Sequence, residues 1–267
     1  MAGRKGRAYR AIRVLHSSLF TIYYSPFSFY LVSFMRTAII SDIHSNLQAL
    51  TKALSLIDER GVDRVVCLGD IVGYGGNPNE CVELVRERVA ECVLGNHDLA
   101  ALDTSHARFF TRYGRAAAQW THDVLTEDNR DYLRNLPYRI DLDDLTLVHA
   151  NPESPENWEY VFSLEDARPQ FNHFETSFCC IGHSHVPFIC GEDMKTFYVK
   201  SGVRFLINVG SVGQPRDRNP QLSFGVLDTK QFSYENIRAD YDIKGAAQAI
   251  LDNDLPRFLA DRLFNGV

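Results

Sequence analysis

Histidine, aspartate and asparagine gather in five short segments of this chain: Asp42-Ile43-His44, Gly69-Asp70, Gly95-Asn96-His97-Asp98, His149 after an apolar run, and Gly182-His183-Ser184-His185. These side-chain types bind divalent metals, and each segment follows a stretch that reads as a β-strand. Ligands delivered from several strand ends to one crevice are what a two-metal site requires. Taken singly, the signals are weaker. An Asp after a strand also serves as a helix N-cap. Gly, Asn and Asp favour turns, although a turn has no need of His97. The imidazoles of His183 and His185 could be plain surface histidines, yet their i, i+2 spacing suits two neighbouring metals. A bland explanation has to cover all five segments at once.

The elements that position these residues alternate strand with helix from Met35 onward. Thr37 to Ser41 is a short apolar strand. Leu47, Leu50, Leu54 and Ile57 then recur at spacings of three and four, the mark of one helix face, and Gly61 ends that helix as a left-handed cap would. Arg64–Leu68 and Glu91–Leu94 read as further strands, with a helix after Pro78 between them. Such alternation predicts parallel pairing, with the crevice at the carboxyl ends of the strands. Residues 104–136 read as mostly helical. Tyr138 to Leu142 and Leu145 to Val148, joined by a turn at Asp143-Asp144, read as a hairpin that delivers His149. A helix is expected over Leu164–Phe174. Strands are expected at Phe178–Ile181, Phe188–Cys190, Phe197–Val199, Phe205–Val209, Leu222–Leu227 and near Phe232–Ile237. The last segment, Ile243 to Phe264, is helical, with Pro256 bending or dividing it. The parallel first half and β-rich second half suggest two sheets packed together with helices outside.

Composition bounds the reading. Apolar residues make up 45% and charged residues 23%, ordinary for a globular protein. A net charge of −6 argues against a general nucleic-acid surface, which normally carries a basic patch. None of the six cysteines forms a C-x-x-C pair, and most lie inside apolar runs, so buried reduced thiols and a reducing compartment are expected. Residues 1–34 are basic, free of Asp and Glu, and interrupted by serines and Pro26. They make a poor transmembrane helix and a weak secretory signal, though an organellar transit peptide also fits. Met35 lies directly before the first strand of the body. The simplest reading makes 1–34 an extension, disordered or a mis-assigned start, and 35–267 one domain, since no linker or repeat interrupts it.

The five segments, in this order and spelling, resemble the metallophosphoesterase superfamily, also called calcineurin-like phosphoesterases, over residues 37–216. The resemblance implies an α/β fold, a four-layer α/β/β/α sandwich of two mixed sheets flanked by helices. Carried over, Asp42, His44 and His185 would bind the first metal and Asn96, His149 and His183 the second, with Asp70 bridging both. His97 would be the catalytic residue, a general acid that protonates the leaving alkoxide, and Asn96, His97 and Arg216 would contact substrate. Asp98 either orients His97 or caps the helix that follows. Carboxylates mixed with imidazoles suit two divalent ions of Mn, Fe, Zn or Ni, Mn foremost, and the lack of Cys ligands disfavours a structural zinc. A metal-bridging hydroxide would attack phosphorus in line.

Two departures narrow the substrate. Phosphoprotein phosphatases of the superfamily, and the related symmetrical dinucleoside tetraphosphatases, read G-D-x-V-D-R-G after the second strand. Here Gly73 and Tyr74 stand in place of that Asp and Arg. Losing a bidentate Arg matters most for a dianionic monoester. The smaller prokaryotic phosphodiesterase-like branch is favoured, and its N-x-G-S…P-R element is matched by Asn208 to Arg216. His16, His106, His122 and His173 match no motif and read as surface or structural.

The expected function is therefore dinuclear-metal-dependent hydrolysis of a phosphate ester, a small phosphodiester or nucleotide, with some monoesterase activity. The rivals are a dinucleoside polyphosphate or phosphoprotein phosphatase, which Gly73 and Tyr74 disfavour, and a non-catalytic scaffold on the same fold, such as the retromer subunit, which loses the histidine that His97 retains. No stable nucleic-acid complex and no membrane contact of the core domain are expected. A cytoplasmic location follows from that reading, and a homo-oligomer is compatible with it.

Overall fold

Strands buried on both faces must be apolar at consecutive positions, and these strands sort their residues by parity. The computed structural model describes residues 21–25, 28–32, 35–142 and 144–267. By its internal contacts the chain divides into Met1–Phe34 and Met35–Val267. In the first unit, β1 (Thr21–Ser25) and β2 (Ser28–Val32) pair antiparallel, Thr21 opposite Val32. The expectation of a disordered or mis-assigned start falls largely on residues outside those described, as do His16 and Asp143 of the expected turn.

The second unit runs β3 (Arg36–Ile40), α1 (Leu47–Arg60), β4 (Arg64–Cys67), α2 (Pro78–Arg88), β5 (Glu91–Cys92), α3 (Asn96–Leu102), α4 (Arg112–Val124) and α5 (Glu127–Arg134). It continues with β6 (Arg139–Asp141), β7 (Leu145–Val148), α6 (Leu164–Gln170), β8 (Phe178–Ile181), β9 (Phe188–Gly191) and β10 (Phe205–Asn208). The chain ends with β11 (Leu222–Asp228), β12 (Ser233–Ala239), α7 (Ile243–Asp252) and α8 (Arg257–Asp261). Two mixed five-stranded sheets result, in the orders β12-β11-β3-β4-β5 and β6-β7-β8-β10-β9. In the first, β3, β4 and β5 are parallel and β11 joins β3 antiparallel. In the second, β7, β8 and β10 are parallel and the edges β6 and β9 antiparallel.

Three cores follow from that layering. Between the sheets lie Ile39, Val66 and Leu68 from one side and Leu147, Phe178, Cys180, Phe205 and Ile207 from the other. Their immediate neighbours face outward. Ala38, Ile40 and Cys67 pack with Leu50, Leu54 and Ile57 of α1, while Val148, Cys179, Ile181 and Leu206 pack with Ala167 of α6 and with Phe171. Each such aliphatic or aromatic side chain contributes about 1.5–3 kcal/mol by leaving water. Helix α1 starts at Asn46, whose side chain accepts from Ala49 N at 3.1 Å, and stops at Gly61, with φ 58°. All six cysteines are buried and unpaired.

Some expected elements end early. Strand β5 stops at Cys92 because Leu94 N donates to Pro137 O at 2.8 Å and so leaves the ladder. Helix α6 stops at Gln170, not Phe174, where the bonds tighten to the 3-10 pattern: Asn172 N donates to Pro169 O at 3.1 Å and His173 N to Gln170 O at 3.0 Å. Phe197–Val199 is not a strand. The Asp193 carboxylate accepts from Lys195 N and Thr196 N, a side-chain turn that diverts the backbone, and Phe197 and Tyr198 are left exposed. Pro256 divides the C-terminal helix, capping α8. No helix among the described residues is long and apolar enough to cross a membrane.

Candidate metal centre

The loops at the carboxyl ends of β3, β4, β7 and β8, with the start of α3, bring all seven expected ligands together. Asp42, His44, Asp70 and His185 form one set, and Asp70, His149 and His183 a second, every one of them buried. Asn96 completes the second set, its Oδ1 3.2 Å from His149 Nε2. Asp70 belongs to both. Its Oδ2 lies 3.6 Å from His44 Nε2 and 3.3 Å from His149 Nε2.

The backbone is bent hard to do this. Asp42, His44, Asp70, His183 and His185 all have positive φ, between 50° and 64°. For non-glycine residues that region costs about 1–2 kcal/mol each. Such strain is kept where surrounding structure over-determines it, commonly at functional sites. Backbone bonds tie the ligand turns to one another: Asp42 N donates to Gly69 O at 3.1 Å, His44 N to Asp70 O at 3.0 Å, and Gly182 N to His149 O at 2.8 Å. Close approach requires glycine at two points. A Cβ on Gly95 would lie 2.1 Å from Asp70 Oδ1, and one on Gly182 2.4 Å from Asp42 Oδ2.

Each carboxylate is held by one oxygen, leaving the other inward. Asp70 Oδ1 accepts from His97 N at 2.8 Å. Asp42 Oδ2 accepts from His183 N and from Ser41 Oγ, whereas Asp42 Oδ1 has no hydrogen-bond partner among the described residues. The imidazoles are fixed likewise. Nδ1 of His44, His149 and His185 faces the carbonyls of Val72, Leu68 and Gln214. Donating there puts the proton on Nδ1 and turns the Nε2 lone pair inward, the usual outer support of a metal-binding histidine.

Those lone pairs point at one another. His44 Nε2 lies 3.0 Å from His185 Nε2, and His149 Nε2 3.2 Å from His183 Nδ1. Two carboxylates at 0% and 1% exposure also sit there with histidines as their only ion-pair partners among the described residues. Buried negative charge needs a counter-charge. Burial resists ionisation of Asp42 and Asp70, yet the imidazoles, led by His185 and His149 respectively, hold both carboxyls below the usual range. Burial also pushes His183 down to about 3 and His97 to about 4. On His149 burial is outweighed by Asp70, which lifts it to about 10, so without a cation this ring carries the positive charge that a bound cation would replace, freeing its Nε2 lone pair. The cluster demands positive charge at its centre, and a neutral-imidazole, carboxylate and amide donor set fits divalent cations.

Several neighbours were not legible as site residues. Tyr74 packs on His97 at 4.3 Å and on His44 at 4.8 Å. Tyr160 stacks on His183 at 3.9 Å, and Phe110 on His97 at 4.4 Å. Arg262, near the C-terminus, lies 5.7 Å from the Tyr74 ring, as does Arg216. Tyr74 and Arg216 lie within motifs, although those motifs do not signal the packing of Tyr74 on the histidines; no motif flags Phe110, Tyr160 or Arg262, because each comes from a loop remote in sequence. Asp98 does not reach His97; its carboxylate accepts from Val72 N and Gly95 N, so of its two readings the helix cap holds. His97 Nδ1 has no hydrogen-bond partner among the described residues. His106 and His173 lie near Asp103 and Glu153, and His122 Nδ1 faces Ala101 O, all apart from the ligand cluster.

Comparison with known proteins agrees with this geometry. Residues 35–231 match the model of the calcineurin-like phosphoesterase superfamily domain. An uncharacterized protein of Methanocaldococcus jannaschii is 43% identical over 241 residues, covering 86% of this chain and 97% of its own. The phosphodiesterase YfcE of Escherichia coli K12 is 28% identical over 210 residues, 74% of this chain and 90% of its own. The crystal structure of a metallophosphoesterase from Sphaerobacter thermophilus superposes with a TM-score of 0.77 at 38% identity, covering 88% of this chain and all of that one. This chain belongs to the calcineurin-like phosphoesterase superfamily and is a metallophosphoesterase.

Proposed function

We propose that the protein hydrolyses small phosphodiesters or nucleotides with two divalent cations, Mn foremost, and has weaker activity on monoesters. The observation that carries this reading is the sharing of Asp70 Oδ2 between two sets of ligands. Asp42, His44 and His185 would hold one cation and Asn96, His149 and His183 the other, with Asp70 placed to serve both. Bound there, the cations supply a deprotonated water for in-line attack and neutralise phosphoryl oxygens.

The remaining steps belong to the chain. Arg216, half-buried beside Tyr74, binds a non-bridging phosphoryl oxygen. His97 gives a proton to the departing oxygen. Burial, reinforced by the Arg216 guanidinium and the imidazoles of His185 and His149, keeps its ring neutral, at about 4, so it acts as an acid only when bound phosphate favours its charged form. Gly73 leaves room for that ring, since a Cβ there would meet His97 Nδ1 at 2.6 Å. Tyr74, Phe110 and Tyr160 exclude water from the cluster.

The test is to purify the protein, measure bound metals, and assay bis(p-nitrophenyl) phosphate and p-nitrophenyl phosphate before and after chelation. Two transition-metal ions per chain, and diesterase activity that disappears with chelator and returns with Mn²⁺, are expected. Undiminished turnover by metal-free protein would overturn the reading.

A further inference from the structure

Beside the second set of ligands the surface opens into a cleft of about 320 Å³ that begins at Asn96. It is lined by Phe109 and Phe110, at the end of the 3-10 turn Thr104–Phe109, and by Trp158, in the loop after β7. The cleft is continuous with the candidate site, since Phe110 packs on His97 at 4.4 Å and Trp158 lies edge-on to His149 at 5.8 Å. Two features of its lining are costly. Phe109 is 85% exposed, with the Arg108 guanidinium over its ring at 4.7 Å. Trp158 has φ 59°, a backbone conformation that bulky residues avoid. Glu156 and Asn157, both exposed, also line it.

We propose that this cleft is a nucleobase subsite, so that the preferred substrates of the metal centre are nucleotide esters, not sugar or alkyl phosphates; the proposal rests on the phosphoesterase reading above. A base has two flat faces and a hydrogen-bonding edge. Aromatic side chains stack on the faces, and a carboxylate and an amide meet the edge, Glu156 accepting from an amino group and Asn157 both donating and accepting. The volume lies near the lower end of the range for small-molecule sites, about 300–1,000 Å³. A second cavity of about 210 Å³, between α6 and β9, is almost wholly apolar and is lined by none of the seven ligands. The open cleft is therefore the one suited to a polar aromatic group attached to a reacting phosphate.

Tryptophan fluorescence gives a readout that does not depend on turnover. The chain has two tryptophans, so Trp120→Phe leaves Trp158 as the reporter. Adenosine 5′-monophosphate is expected to quench it saturably, while ribose 5-phosphate, with the same phosphate and sugar, does so at least tenfold more weakly. Phe109→Ala should weaken AMP binding on the order of tenfold, the loss of one stacking contact, and leave ribose 5-phosphate binding less affected. In metal-loaded protein the same substitution should lower kcat/KM for a nucleotide diester more than for bis(p-nitrophenyl) phosphate, through KM. Equal binding of AMP and ribose 5-phosphate, or equal losses on both ligands in Phe109→Ala, would overturn the subsite while hydrolysis of the simple diester kept the phosphoesterase reading intact. Absence of hydrolysis with every ester would fail the phosphoesterase reading instead, whichever ligand quenches Trp158.

Discussion

The two halves of the cluster use the same side-chain types but differ in how they are enclosed. Asp42, His44 and His185 are at most 1% exposed, and the space beside His44, bounded by Tyr74, Gly75, Gly213 and Gln214, is about 10 Å³. In the second half His149 is fully buried, but Asn96 and His183 retain 8% and 5% exposure, and Asn96 borders a cleft of about 320 Å³. Closure keeps the first half dry and its geometry fixed. Openness lets the second half meet a substrate, and His97 stands between, touching Tyr74 on the closed side and Phe110 on the open side.

Asp70 joins the halves, so Asp70→Asn is expected to have the largest effect. Turnover should fall below detection and both metals should be lost or weakened, as read by elemental analysis. Retention of one tightly held metal with the other gone would show that the halves are less coupled than a shared carboxylate implies.

His97 is next. His97→Ala should keep both metals and lose about 10²–10⁴-fold in turnover, the usual span for a general acid. The loss should grow with the pKa of the leaving alcohol, because an activated aryl ester needs little protonation. A uniform loss across leaving groups would assign His97 to charge stabilisation on the boundary, not to proton donation.

Gly73 tests how tightly the closed side holds that histidine. At φ 94° and 2.6 Å from His97 Nδ1, an added Cβ must displace the ring. Gly73→Ala should cost up to about 10²-fold in kcat, the scale of a misplacement near 1 Å, with metal content unchanged. Wild-type turnover would mean that the ring position is not critical.

The smallest effect concerns the first unit. Every proposed ligand lies after Met35. A chain beginning at Met35 should bind metal and turn over as the full chain does, with Tm shifted by less than about 2 °C, a change under 1 kcal/mol for a chain of this size. Precipitation or metal loss on truncation would make residues 1–34 part of the working structure.

Much of this was legible in the sequence because it is local. Consecutive apolar residues at Phe178–Ile181 mark a strand buried on both faces, and the structure places alternate residues in different cores. Gly61 and Pro256 end or divide helices through their own backbone restrictions. The metal-binding residue types, each at a strand end, foretold which side chains would meet. What the sequence left open depends on groups far apart in the chain. Asp98 had two local readings, and only the amides of Val72 and Gly95 decide between them. Phe197–Val199 has strand-like residues but lies past a turn held by Asp193.

By itself, the sequence determined most of the order of strands and helices, Phe197–Val199 excepted, and the chemical types of the ligands, since periodicity and side-chain chemistry are written residue by residue. Tertiary structure alone decided which ring nitrogen faces inward, as the carbonyls of Leu68 and Gln214 accept hydrogen bonds from His149 and His185. It also decided the left-handed backbone of five ligands and the gathering of Phe109 and Trp158 around one cleft. The reason is the same throughout: partners such as His44 and His185, 141 residues apart, are selected by packing, and no local pattern in either segment encodes the distance between them.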